Sequence, residues 1–237
     1  MPHYHQLGKI PHKRHTQFRK PDGGLYSEQL FSTEGFSNDY ALLYHCHPPT
    51  QIIKTEPQVD ISPKIAEEKM LKHRCLEGFQ IKPANDYLES RIPVLVNNDC
   101  HIVLAAPKQG TGKYFYKNAD ADEMIFVHEG SGVVKTQYGQ LPFSYGDYIV
   151  LPRGTIYQIE FKEEANRLFI VESFKPIRYP KRYMSHYGQL MEHCPIVNET
   201  SVHHRIYKPL TKKAIFLFVQ KSRGYFMACI MERIHLM

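Results

Sequence analysis

The sequence predicts an all-β protein: a jelly-roll-like barrel preceded by an irregular, aromatic-rich N-terminal arm. Three observations carry this. From His101 onward, short runs of Val, Ile, Phe, Tyr and Leu recur with period-two alternation. Turn-forming residues separate these runs at short, even intervals, the spacing of an antiparallel sandwich or barrel. The stretch Gly146-Asp147-Tyr148-Ile149-Val150-Leu151-Pro152-Arg153-Gly154 reads as a turn, a buried strand and a corner.

The 237 residues suit one β-rich domain with extensions and are enough to bury a full core. The N-terminus, Met1-Pro2-His3-Tyr4-His5, lacks the basic-then-apolar profile of a signal peptide, and no apolar run reaches about eighteen residues. The expectation is a cytoplasmic protein with no membrane partner. Cys46, Cys75, Cys100, Cys194 and Cys229 form no CxxC pair and are odd in number, which favours reduced thiols over a disulfide framework. The formal charge of +6 comes from 30 basic and 24 acidic residues mixed along the chain. Only Lys13-Arg14 to Arg19-Lys20 and Lys181-Arg182 are locally basic, and neither carries a recognition motif, so no nucleic-acid partner is expected.

The elements follow in order. Residues 1–60 form the arm, with little periodicity but aromatics (Phe18, Tyr26, Phe31, Phe36, Tyr44) too frequent for a disordered tail. Residues 61–195 form the barrel. Ser62 as cap and Pro63 at the first position, followed by Ile65, Ala66, Met70 and Leu71, predict a short helix. Strands are predicted at residues 101–106, 113–116, 124–128, 132–138, 140–144, 147–151, 157–161 and 167–173. Gly130-Ser131-Gly132 and Tyr138-Gly139-Gln140 are the tightest hairpin candidates.

The corner ending at Tyr157 resembles the second half of the cupin double signature, in which a histidine follows the Pro-x-Gly by three positions. Tyr157 holds that place. Upstream, where the signature has His-x-His and then Glu, this chain has Asn118-Ala119-Asp120 and then Asp122-Glu123. Carboxylates and a phenol do not make the convergent donor set a metal needs, so the segment reads as a degenerate, structural cupin-like barrel.

A longer resemblance spans the chain to about residue 195. Tyr4-His5-x-Leu7-Gly8-x-Ile10-Pro11-x-Lys13-Arg14-His15-Thr16-Gln17-Phe18-Arg19 opens it, then Leu25-Tyr26-x-Glu28-Gln29-Leu30, Gly35-Phe36 and Tyr44-His45-x-x-x-Pro49-Thr50. Asn118 to Glu123, the Gly146 corner, Glu172-Ser173 and Tyr187-Gly188-Gln189-Leu190-x-Glu192-His193 continue it. These stretches resemble the N-terminal domain of homogentisate 1,2-dioxygenase. The resemblance implies an Fe(II)-dependent oxidoreductase that opens homogentisate with O₂ to maleylacetoacetate in tyrosine and phenylalanine catabolism. It also implies homo-oligomers, trimers and hexamers. In that family the iron ligands lie in the C-terminal cupin half, and nothing in residues 1–195 matches them. No catalytic, cofactor-binding or metal-ligating residue is therefore assigned, no cofactor is expected in this chain, and the chain is expected to be inactive alone. A non-catalytic cupin-like binding or assembly module is the alternative.

Residues 196–237 show neither strand alternation nor a helix face. Joining each codon's third base to the first two of the next turns Pro209–Phe216 into a possible Ile-Asp-Glu-Lys-Gly-Asp-Phe, and Lys221–Met227 into Lys-Gln-Gly-Leu-Leu-Tyr. These strings are similar to a continuation of the same family. The expectation is a truncated chain with an out-of-frame, poorly ordered tail, in which His203, His204, His235 and Cys229 carry no function.

His3-x-His5 and His45-x-His47 have strand-face spacing, and His12 with His15 could share one side of a turn, but no carboxylate supports them at a suitable interval. Hydrogen bonding is the better reading for these histidines, and a place in the barrel wall for His101 and His128. Glu123 and Tyr157 could face each other across the barrel, where a structural hydrogen bond is favoured over chemistry.

Overall fold

A computed structural model describes residues 17–49, 51–57, 59–67, 70, 72–195, 216–222 and 225–231. Within them the chain is built from strands and two single-turn 3₁₀ segments. Two sheets close on each other as a jelly-roll-like barrel, as the sequence predicts. The first sheet has five strands: β5 (Arg91–Val96), β6 (Cys100–Ala105), β8 (Asp122–Glu129), β11 (Tyr148–Leu151) and β13 (Arg167–Ser173), in the order β11-β8-β13-β6-β5. The second contains β7 (Phe115–Asn118), β9 (Gly132–Thr136), β10 (Gly139–Phe143) and β12 (Tyr157–Phe161), in the order β10-β9-β12-β7. Alternation along each strand sends one set of side chains inward. Val103, Ile125, Ile149 and Ile170 from the first sheet meet Val134 and Ile159 from the second, all essentially inaccessible to solvent.

The turn chemistry explains the connections. Gly146 (φ 90°) turns the chain into β11 and Gly154 (φ 86°) closes the corner after it, both in a region costly for side chains with a Cβ. Tyr138-Gly139 lies in a true hairpin, with Thr136 opposite Gly139 across β9 and β10. Gly130-Ser131-Gly132 does not: β8 and β9 belong to different sheets, so that link crosses over the barrel. The sequence shows a tight turn but not which partner each flanking strand chooses.

Three further expectations are corrected. The arm is not irregular throughout: β1 (Ser27–Glu34) and β2 (Ser37–His45) form an antiparallel hairpin, followed by β3 (Ile52–Thr55) and β4 (Val59–Asp60). Phe31 from this hairpin packs edge-on against Tyr138, with centroids 5.7 Å apart, so tertiary contact supports a ribbon that would be marginal alone. The predicted helix is absent from the described residues between Ser62 and Met70. The Ser62 amide is bound instead to the Asp60 carboxylate at 2.9 Å, and Ile65 and Met70 are exposed, so no buried stripe supports a nucleus. In the tail, β14 (Phe216–Ser222) and β15 (Tyr225–Met231) pair with each other, and β14 lies parallel to β7. Both segments are runs of strand-type residues, and the open edge of β7 offers unpaired backbone groups to such a run. The described cysteines Cys46, Cys75, Cys100 and Cys194 are free thiols. No helix among the described residues is long and apolar enough to cross a membrane.

Candidate functional site

Polar side chains converge inside the barrel, held by one inward register row of the first sheet. Glu123 on β8 lies opposite Glu172 on β13, and Glu172 opposite His101 on β6. Arg91, at the start of β5, reaches the same point. Its Nη2 donates to Glu123 Oε1 at 2.6 Å and Glu172 Oε1 at 2.5 Å, while its Nη1 donates to the Tyr87 hydroxyl at 3.2 Å. Lys221, carried in by β14, donates to Glu172 Oε2 at 2.5 Å. His101 Nδ1 lies 3.5 Å from the same oxygen.

Phenols and an amide complete the shell. Tyr157 donates its hydroxyl hydrogen to Glu123 Oε2 at 2.8 Å, and its oxygen lies 3.3 Å from that of Tyr87. Asn118 donates to Glu123 and Glu172 at 3.3 and 3.4 Å. The Arg91 guanidinium carbon sits 5.4 Å from the Tyr87 ring centre and 5.6 Å from that of Tyr116, within cation–π range. Both glutamates are 1 % exposed. Two acids against two bases leave the Arg91–Glu123–Glu172–Lys221 quartet formally neutral, the condition under which buried charge is tolerated.

Burial alone would push the Glu172 carboxyl up, but the Arg91 and Lys221 charges outweigh it and hold it below the usual range. Burial would likewise pull Arg91 down, and the carboxylates, Glu123 first, hold it protonated. Burial pushes Tyr87 up to about 12, and Tyr116 and Tyr157 well above an ordinary phenol. The three phenols therefore remain un-ionised at physiological pH. His101 is pulled down by burial, with the Lys221 charge also opposing protonation and Glu172 favouring it.

These directions set a pH dependence. A folded imidazole that protonates less readily than an unfolded one costs stability as pH falls below its ordinary 6.5, and His101 and His45 both do so. A carboxyl held below its ordinary 4.5 contributes stability above that value and loses it as pH falls through its lower folded value. Urea midpoints measured between about pH 7 and about pH 3 should therefore fall in two stages. His101→Gln should shrink the upper stage and Glu172→Gln the lower; an unchanged profile in both variants would contradict the assignment.

The sequence-predicted pair, Glu123 and Tyr157, does meet, as a hydrogen bond within this larger network. His101 on β6 and His128 on β8 both lie in strands of the barrel wall, as expected, His128 at the exposed end of its strand. His45 is bound through Nε2 to Gln29 Oε1 at 2.8 Å. His3, His5, His12, His15, His203, His204 and His235 lie outside the described residues. Sequence reasoning missed Arg91, and the signal was available: a basic residue opens the apolar run Ile92-Pro93-Val94-Leu95-Val96. Lys221 gives no such signal, because the sequence around it shows neither strand alternation nor a helix face.

Iron of the kind the sequence resemblance implies is held by two imidazoles and one carboxylate on one face. The donors here do not fit that group. Among the described residues only one imidazole, His101, is within reach of Glu123 and Glu172, and a divalent ion between the carboxylates would sit against the Arg91 guanidinium. Among the described residues no group of three or more His, Cys, Asp or Glu is arranged to hold a metal. The carboxylates are also fully engaged, so neither is poised as a general base. A cavity of about 530 Å³ opens beside the quartet, lined by Arg91, His101, Asp120, Glu172, Phe174 and Lys221 among others.

Comparison with known proteins identifies the family. Residues 8–182 match the family described as homogentisate 1,2-dioxygenase N-terminal. A protein of Saccharolobus solfataricus named "Putative dioxygenase" is 39% identical over 189 residues, which is 80% of this chain and 48% of that protein. A protein of Dictyostelium discoideum named homogentisate 1,2-dioxygenase is 24% identical over 166 residues, covering 63% of this chain and 38% of the other. The chain thus spans about half, or less, of the length of these curated relatives. Among solved structures, a cupin-2 domain containing protein from Shewanella frigidimarina aligns over 35% of this chain and 79% of its own, with 21% identity and a TM-score of 0.31. By its sequence match over most of its length, this chain belongs to the homogentisate 1,2-dioxygenase N-terminal family.

Proposed function

We propose that this chain supplies a metal-free structural barrel to a homogentisate 1,2-dioxygenase, an Fe(II) enzyme that opens the ring of homogentisate with O₂ to give maleylacetoacetate. The reading places the protein in cytoplasmic tyrosine and phenylalanine breakdown, in a homo-oligomer of trimer or hexamer type. One observation carries the assignment of a structural role: Tyr157 and Asn118, at places where the cupin signature has histidines, donate to Glu123 inside a network whose carboxylates are already bound by Arg91 and Lys221. What these residues do is hold the two sheets together and keep water from the barrel centre.

The purified chain, incubated with Fe(II) under anaerobic conditions and desalted, is expected to retain far less than one iron per chain and to consume no O₂ with homogentisate. Stoichiometric iron together with O₂ uptake would overturn this reading. The cavity beside the quartet favours a second one, a non-catalytic binding module, because its wall combines charged groups with Phe174, Val103 and Leu88. Saturable binding of a small organic ligand, abolished by Lys221→Met and unconnected with any dioxygenase activity, would favour it over the first.

A further inference from the structure

The five-stranded sheet has an outer face that is as apolar as an interior. Across its register, Tyr148, Phe126, Phe169, Leu104 and Ile92 form one row, running through β11, β8, β13, β6 and β5. Val150, Met124, Val171, Ile102 and Leu95 form the next. No polar residue interrupts either row. Both faces of these strands therefore read as buried, the pattern of a sheet covered on two sides rather than one. Yet Tyr148 is 66% exposed, Leu95 56%, Val150 44% and Ile92 43%.

The opposite sheet supplies a control within the same molecule. Its outward rows carry Gln140, Lys135 and Gln158, then Pro142, Val133 and Glu160, with Lys135 paired to Glu160 at 2.5 Å. That is the composition of a solvated sheet face. The difference between the two faces is not a property of the fold, because both sheets are built from the same alternation. It lies in which outward positions were made apolar.

Among the described residues, only one end of the apolar face is covered. Residues 76–81 lie over it, with Arg167 Nη1 donating to the Phe79 carbonyl at 3.1 Å and the Phe79 ring edge-on to His128. Between that segment and the sheet a cleft of about 560 Å³ remains, floored by Leu104, Phe126 and Phe169. Apolar patches of this extent on a soluble protein mark interaction surfaces.

We propose that this face is a docking surface for a second β-sheet layer, supplied by the other half of the family's longer chains. The inference rests on reading the chain as part of a dioxygenase. Two observations select this occupant: a five-strand apolar face suits sheet-on-sheet packing, and the Saccharolobus relative carries about as much chain again outside its match as within it. Charged groups border the face at its two ends, where Arg167 pairs with Glu129 at 3.2 Å and Lys175 with Asp99 at 3.1 Å, so the contact core is desolvated without stranding a charge.

The probe is the part of the Saccharolobus solfataricus relative outside the match, expressed as a separate polypeptide and titrated with the 237-residue chain. A one-to-one complex is expected, weakened about tenfold or more by Tyr148→Lys combined with Val150→Lys, or by Ile92→Lys at the far edge. Gln158→Lys, on the polar sheet, should leave it unchanged. Urea midpoints of the variants, expected to stay near the parent's, separate lost docking from lost folding. No complex, or a complex indifferent to these substitutions, would sink the proposal. So would dimerisation of this chain through the same face, abolished by the same variants. Oxygen uptake with homogentisate is read on the same complex: docking through this face without uptake keeps the interface and counts against the dioxygenase reading alone.

Discussion

Arg91→Leu should lower the stability of this chain by about 3–5 kcal/mol, read as a drop in the urea midpoint at neutral pH. The reason is the asymmetry of a buried ion pair. Arg91 contributes one of two positive charges facing Glu123 and Glu172, and its Nη2 bridges both carboxylates. Without it, Lys221 still meets Glu172, but Glu123 keeps only Tyr157 and Asn118 as neutral donors. A carboxylate left uncompensated in an apolar interior costs far more than the intact pair contributes. Arg91→Lys keeps the charge but has no rigid fork to span two carboxylates and Tyr87, so an intermediate loss is expected. Adding Glu123→Gln to Arg91→Leu should recover part of the loss, because the stranded charge goes with it. If Arg91→Leu unfolds at the parent midpoint, the quartet is not what holds the barrel centre.

Gly110→Ala should cost about 3 kcal/mol, the upper end of what overpacking does. A Cβ at residue 110 would stand 1.8 Å from the Ile159 carbonyl oxygen and 2.7 Å from its carbon. Both are backbone atoms of β12, which runs through the second sheet and cannot step aside as a side chain would. The same point carries two hydrogen bonds, Thr111 N–H to the Ile159 carbonyl and Ile159 N–H to the Thr111 hydroxyl, each 3.0 Å long. Moving β12 far enough to admit a methyl breaks both. Gly112→Ala is the internal control, because nothing lies within 4 Å of the added carbon. That variant should be neutral or gain about 0.5 kcal/mol from a less flexible unfolded chain. Equal midpoints for the two variants would refute the packing argument.

How much was legible in the sequence follows from which signals are local. The strands Tyr157–Phe161 and Arg167–Ser173 lie where alternation places them, and the others shift by a few residues, because inward and outward positions leave a period-two trace. The Ser27–His45 hairpin and the Arg91–Val96 strand left a weaker trace. The first has an outward face bearing Leu30, Tyr40 and Leu42 that blurs the alternation, and the second is broken by a register shift between Pro93 and Leu95. The Ser62 cap and Pro63 gave a sound local helix signal, yet local signals need a buried face to act on, and none exists there. Of the site, Glu123 with Tyr157 could be foreseen from the corner in which the phenol replaces an expected imidazole. Arg91 left only a local hint, a basic residue opening an apolar run, and Lys221 left none; their partner Glu172 is 81 and 49 residues away and is met only through strand pairing.

The sequence by itself determined the all-β class, the turn positions, the family and the replacement of imidazoles by carboxylates and a phenol. Each depends on the identity of residues close together in the chain. Only the tertiary structure decided that Gly130 crosses between sheets, that Arg91 and Lys221 neutralise the two buried glutamates, and that one sheet presents apolar rows outward while the other presents polar ones. These depend on which strands pair and in what register, and that choice is made by packing between distant segments rather than by any residue's own preference.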